Sequence, residues 1–240
     1  MVDLARVGAI GGLIFDKDGT LFDFDATWNG WARAVLTELA DQAGVDRSAL
    51  GARVGFDFDV GFAPDSPVIA GTVAEIADLL AVGLPAGFAL AQRANLIAFL
   101  DARAASAAVV EVVPLAGFLQ GLQADGYRVG VMTNDTEGSA RAHLAAVSVA
   151  GLDAVIGADS GHGAKPEAGP LLAAAGLMGV APARVAMVGD SRHDLAAGRA
   201  AGMVTVGVLT GPALAADLAD LADVILPSIA DLPAWLATRG

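Results

Sequence analysis

The sequence predicts an α/β protein: a core built on a parallel sheet, with an all-helical domain inserted after the first strand. Three observations carry this reading. From residue 115 onward, short apolar runs alternate with helix-length segments. One more apolar run, residues 7–15, stands alone ahead of a long block of helical texture. Polar clusters follow these runs, and open parallel sheets place their ligands at the carboxyl ends of strands.

In chain order, residues 7–15 are rich in Gly and β-branched side chains and end in charges, which marks a buried strand. Residues 27–100 look helical: Trp28, Trp31, Val35 and Leu39 recur at three- and four-residue spacing, as do Ile76, Leu79 and Leu80. Turn residues interrupt that block at 51–67, and no clear strand shows there. The later part predicts helices over 115–124, 136–147, 166–175, 191–201 and 229–237. Strands are predicted over 127–132, 154–157, 184–188, 203–209 and 222–226. The economical arrangement is a Rossmann-like three-layer core of residues 1–21 and 113–240 with a helical domain at 22–112.

Composition narrows the function. The chain of 240 residues is 55% hydrophobic, which excludes a disordered polymer. Without cysteine it has no disulfide, thiolate metal site or cysteine nucleophile. Mean hydropathy is +0.59, largely from alanine, but the longest charge-free stretch, 200–216, is broken by Gly202, Gly207, Gly211 and Pro212. No membrane span is expected, since one needs about 20 mostly apolar residues. Asp3 and Arg6 and the lack of a long apolar stretch argue against a signal peptide at 1–12, so a cytoplasmic setting is expected. A net charge of −13 disfavours nucleic acid and anionic membranes as partners. The sequence leaves the oligomeric state open. It contains two lysines, Lys17 and Lys165.

Four polar clusters carry the chemistry. Asp16-Lys17-Asp18-Gly19-Thr20 follows the first strand. Its two acids repel unless a cation holds both ionised, and oxygen ligands favour Mg²⁺. Gly19 would let the backbone turn and bring N–H groups toward an anion. Thr133-Asn134-Asp135 follows the 127–132 strand and offers a hydroxyl and an amide to phosphate oxygens. Gly163-Ala164-Lys165-Pro166 sets a rare lysine before a proline suited to a helix's first turn. Gly189-Asp190-Ser191-Arg192-His193-Asp194 places Asp190 at a strand end and Asp194 four residues on, on one helix face with it, so that both could complete a Mg²⁺ site. Taken singly, each has an ordinary explanation: an acidic turn, a helix cap, a solvated lysine. Their conjunction does not.

The stretches FDKDGTLFD at 15–23, VMTND at 131–135, GAKP at 163–166 and GDSRHDLAAGRAAGM at 189–203 resemble the haloacid dehalogenase-like (HAD) hydrolase superfamily. Within it, the chain looks most like phosphoglycolate phosphatase-like members with a subclass I helical cap. The resemblance implies Asp16 as nucleophile, forming an aspartyl-phosphate, and Asp18 as general acid and base, its backbone carbonyl also on Mg²⁺. It implies Lys165 as charge balance at the nucleophile, and Thr133, Asn134 and Gly19 at the phosphate. It implies Asp16, Asp18, Asp190 and Asp194 around Mg²⁺, with Asp194 acting directly or through water. Dehalogenating relatives lack an acid at the position of Asp18. Phosphonate-cleaving relatives use a cap lysine, and residues 22–112 contain none.

The expected activity is hydrolysis of a small phosphomonoester, with 2-phosphoglycolate as one candidate. A sugar phosphomutase and a non-catalytic phosphate-binding module are the alternatives. Cap hinges are expected near 21–27 and 111–114. Trp28, Trp31 and Arg33 stand close enough to the first cluster to face the cleft, although their spacing fits cap packing equally well. His143 reads as a helix-surface residue, His162 as a loop histidine near the pocket mouth, and the aromatic-acidic segment 55–62 as a loop of open placement.

Overall fold

The computed structural model describes residues 9–238. Val7 and Gly8 of the first expected strand, and most of the segment read for a signal peptide, lie outside them. Strand β1 (Gly12–Phe15) leads into helix α1 (Phe24–Ala43), α2 (Arg47–Arg53), a short hairpin of β2 (Phe56–Asp57) and β3 (Gly61–Phe62), then α3 (Val73–Ala81) and α4 (Arg93–Ala104). The chain then alternates: α5 (Leu115–Ala124), β4 (Arg128–Met132), α6 (Glu137–Ala146), β5 (Ala154–Ile156), α7 (Gly169–Met178), β6 (Val185–Gly189), α8 (Arg192–Ala200) and β7 (Val204–Val208). It closes with α9 (Ala215–Leu218), β8 (Val224–Leu226) and α10 (Leu232–Ala237).

Six parallel strands form one sheet in the order β5-β4-β1-β6-β7-β8. β1 is central, with Phe15 opposite Val131 on one side and Val188 on the other. The two-residue strand period sends Leu13 and Phe15 to one face and Ile14 to the other. The first face packs on Leu119, Leu122 and Leu144, the second on Leu171, Ala174 and Met178, giving the three layers that the alternation predicts. Both faces are buried, so apart from Arg128 and Thr205 the strands are apolar runs instead of alternating.

The insert has its own core of Leu36, Leu39, Leu80, Leu96 and Leu100. α1 starts where the Asp23 carboxylate accepts from the Ala26 N–H at 2.9 Å, and stops where Gly44 turns left-handed. The chain leaves and re-enters the sheet domain side by side: Asp23 N–H donates to Val110 O at 2.8 Å and Val112 N–H to Leu21 O at 2.9 Å.

Three local readings change. Segment 55–62 is the β2–β3 hairpin, in a block where no strand was expected; two residues per strand are too few for a period to register. α7 begins at Gly169, because Pro170 occupies the first turn that Pro166 was expected to fill. Pro166 instead follows a cis peptide bond in the loop before it. His143 is buried at 1% exposure, because the outward face of α6 meets the insert and Lys17 instead of solvent.

Candidate active site

The clusters converge at the carboxyl edge of the sheet. Asp16 follows β1 directly, and Asp190 follows β6, the neighbour of β1, so parallel pairing alone brings both acids to one edge. Asp194 arrives by helix capping. Ser191 caps α8 and Asp194 completes a capping box, its Oδ2 accepting from Ser191 N–H at 3.0 Å and from Ser191 Oγ at 2.6 Å. Asp190 lies before this helix, so the two acids meet through the cap and do not share a helical face.

One carboxylate oxygen from each of Asp16, Asp190 and Asp194 lies within 4.8 Å of the others, and all three residues are buried. Lys165 reaches in from the loop between β5 and α7, its Nζ donating to Asp16 at 2.5 Å, to Asp194 at 2.6 Å and to Met132 O at 3.3 Å. Burial would pull the Lys165 ammonium down, but the two carboxylates hold it well above its ordinary value. Three acids against one lysine leave the charge uneven. Burial first, then the Asp194 charge, push the Asp16 carboxyl up to about 7 against an attraction to Lys165. Asp190 rises for the same reasons.

An excess of buried negative charge with oxygen-only donors is what a hard divalent cation satisfies, so the residues present fit Mg²⁺. Asp16 and Asp190 would hold it. Both Asp194 oxygens are engaged, by Lys165 and Ser191, which suits an indirect part. The Asp18 carboxylate stands apart from this group and pairs with Lys17 at 2.8 Å.

A raised acid works against the fold as pH rises. Between about pH 4 and pH 7 the unfolded chain has released the Asp16 proton and the folded one retains it. Metal-free protein is therefore expected to lose stability as pH rises through this window. Denaturant melts in chelator should show that slope and should show it flattened in Asp16→Asn. Equal slopes would contradict the charge assignment.

Two glycines make room for Asp190. A Cβ on Gly19, at φ 79°, would stand 2.4 Å from Asp190 Oδ2, and one on Gly211 only 1.8 Å from it. Gly19→Ala and Gly211→Ala are each expected to cost about 1–3 kcal/mol and to weaken Mg²⁺ binding, read by thermal melts with and without the ion. The Gly19 N–H was expected to face an anion; it donates instead to Phe22 O at 2.7 Å. Gly19 therefore contributes space. Asn134 is likewise engaged elsewhere: Oδ1 accepts from Lys165 N–H at 2.9 Å, while Nδ2 donates to Lys165 O at 2.9 Å and to Ala70 O of the insert at 2.7 Å. It clamps the lysine loop and ties it to the insert. Thr133 Oγ1 accepts from Asp135 N–H at 3.1 Å, which leaves its proton free to donate into the pocket.

Lys17 is fully buried, bonded to Asp18, to Asp135 at 3.1 Å and to His143 Nδ1 at 3.1 Å, with the Trp28 ring 5.0 Å away. Burial opposes its charge, but Asp18 and Asp135 keep the ammonium above its usual value. An ammonium only donates, so His143 Nδ1 accepts and its proton sits on Nε2, which donates to Ala104 O at 2.7 Å, at the end of α4. Burial and Lys17 lower the His143 pKa, consistent with that neutral ring. Lys17 thus orients Asp18, and His143 joins this group to the insert.

The pocket between sheet and insert is lined by Asp16, Asp18, Thr133, Asn134, Asp135, Lys165, Ser191 and His193 below, and by side chains of the insert above. Trp28 and Trp31 line it and also pack edge-to-face on one another, with ring centres 5.1 Å apart. Arg33 turns away, donating to Phe58 O, and the β2–β3 hairpin does not line it. The 68–71 loop does, a contribution the sequence did not signal. His162 is exposed and lies outside the lining.

The sheet order, the buried acid group and the helical cover define a parallel α/β protein with an acid-floored, capped pocket. The chain belongs to the haloacid dehalogenase-like hydrolase family, whose model matches residues 10–202. The phosphoglycolate phosphatase of Escherichia coli K12 is 40% identical over 121 residues, 49% of this chain and 48% of that protein, so the chain spans about half the length of this relative. A Dickeya dadantii protein described as "probable phosphatase IndB" is 31% identical over 205 residues, 83% of this chain and 81% of that one. The crystal structure of a HAD family hydrolase from Deinococcus radiodurans, with bound phosphate and sodium, superposes with a TM-score of 0.63 and 25% identity, covering 97% of each chain. Among the described residues, no helix is long and apolar enough to cross a membrane.

Proposed function

We propose that the chain is a Mg²⁺-dependent phosphomonoester phosphatase working through an aspartyl-phosphate on Asp16. The observation that carries this is the placement of Asp16: a buried carboxylate at the end of the central strand, facing a pocket, with one oxygen bonded to a buried lysine and an excess of acids around it. A free Asp16 oxygen attacks phosphorus and the P–O bond to the substrate alcohol breaks. Asp18, oriented by Lys17, protonates the departing oxygen and then takes a proton from the water that attacks phosphorus and cleaves the aspartyl-phosphate, returning Asp16 as a carboxylate. Thr133 donates to a phosphoryl oxygen, and Lys165 steadies the charge on Asp16. Mg²⁺, when bound, supplies Lewis-acid charge neutralisation at the phosphoryl group.

Residues 22–112 act as the cap, hinged near 21–27 and 111–114, and the Asn134–Ala70 and His143–Ala104 bonds hold it closed. The E. coli relative makes 2-phosphoglycolate the first substrate to test. The experiment is release of inorganic phosphate from a panel of phosphomonoesters with Mg²⁺. Phosphate release abolished by chelator is the expected result. A sugar phosphomutase would isomerise sugar phosphates with little release, and a chain inactive across the panel would overturn the proposal in favour of a binding module.

A further inference from the structure

The part of the pocket above the acids says what the phosphate is attached to. The insert contributes Phe24, Trp28, Trp31, Ile69, Val73 and Leu100 to the lining, and none of its lining residues is charged. No arginine of the insert lines the pocket, and four have partners elsewhere. Arg33 donates to Phe58 O and Arg47 lies over the Phe58 ring. Arg93 pairs with Asp78, and Arg103 with Glu38.

The backbone of this wall offers an anion little. The N–H groups of Val68, Ile69 and Gly71 donate to Ser66 Oγ, Ser66 O and Pro67 O. The N-terminus of α3 already carries the Glu75 carboxylate, which accepts from Thr72 N–H at 2.7 Å and Thr72 Oγ1 at 2.9 Å. On the sheet side, Lys165 is bonded to Asp16, Asp194 and Met132 O, and His193, the other lining residue able to carry positive charge, is solvent-exposed.

We infer that the leaving alcohol is uncharged and apolar, aromatic or branched aliphatic, and that a carboxylate-bearing ester such as 2-phosphoglycolate is a poor substrate. A leaving group's carboxylate would be desolvated against the apolar wall, with its own charge added to a negative pocket. A hydrocarbon leaving group gains contact with the same wall. The reaction balances as a hydrolysis: the P–O bond to the alcohol breaks, the alcohol departs with the proton from Asp18, and water supplies the oxygen gained by phosphate.

This inference rests on the phosphatase reading, and one assay separates their failures. Phosphate release by the full chain with Mg²⁺ is compared for benzyl phosphate and 2-phosphoglycolate, both esters of alkyl alcohols. The expected kcat/KM ratio favours benzyl phosphate by about 100-fold, the scale at which binding sites discriminate by an unmatched group. Ile69→Arg, on the half-buried wall, is expected to shift that ratio at least about tenfold toward 2-phosphoglycolate. An equal or reversed wild-type ratio overturns the inference and leaves the phosphatase standing, as does phosphate release from polar phosphomonoesters alone. Absence of release from every ester removes both.

Discussion

Asp16→Asn is expected to lower kcat for phosphate release by roughly four orders of magnitude or more, the scale seen when a covalent nucleophile is removed. The amide has nearly the same shape and can accept the Lys165 hydrogen bond, but it cannot form the acyl phosphate. The fold should remain intact. Asn removes one of three crowded buried acids, and burial with the Asp194 charge already pushes Asp16 toward its protonated form. Melting temperature in chelator at neutral pH is expected to be equal to or above wild type, with Mg²⁺ stabilisation reduced. Unchanged turnover with an unchanged melt would remove Asp16 from the reaction.

Lys165→Met is expected to be the most damaging single change, because it acts on stability and chemistry together. Among the described residues, the ammonium is the one cation bonded to Asp16 and Asp194, and it has 4% side-chain exposure. Removing one partner of a buried ion pair costs about 3–5 kcal/mol, since the remaining charge is left uncompensated. Here two pairs are broken at once. Part of the loss is recovered by protonation, so the variant should be most unstable above the raised Asp16 pKa and recover as pH falls. Denaturant melts across pH check this. Should Lys165→Met fail to fold, Lys165→Met combined with Asp16→Asn restores the balance of one cation fewer and one acid fewer. It should melt above the single variant. A double variant no more stable than the single would show that the charge account is wrong.

The fold was legible in the sequence because parallel strands buried on both faces are short, apolar and bounded by turn residues, and β4, β6 and β7 stand out in that way. The Asp16, Asp190 and Lys165 motifs were legible for a related reason: a rare lysine or a bare acid beside an apolar strand is costly unless something answers it. The two-residue hairpin was not legible, being shorter than any period. Nor was the burial of His143, since helical spacing shows which residues share a face and not what covers that face. The same limit hid the work of Lys17 and of Asn134, whose side-chain amide faces a loop 31 residues away.

By itself, the sequence determined the local elements of the sheet domain, their order along the chain, and which residue types stand at the strand ends. These follow from hydrophobic period, turn chemistry and charge, all short-range properties of a chain. Only the tertiary structure decided which acids share one lysine, which glycines leave space for Asp190, and that the wall facing them is apolar. Those depend on distances between segments far apart in sequence, fixed by strand pairing and by how the insert closes over the sheet.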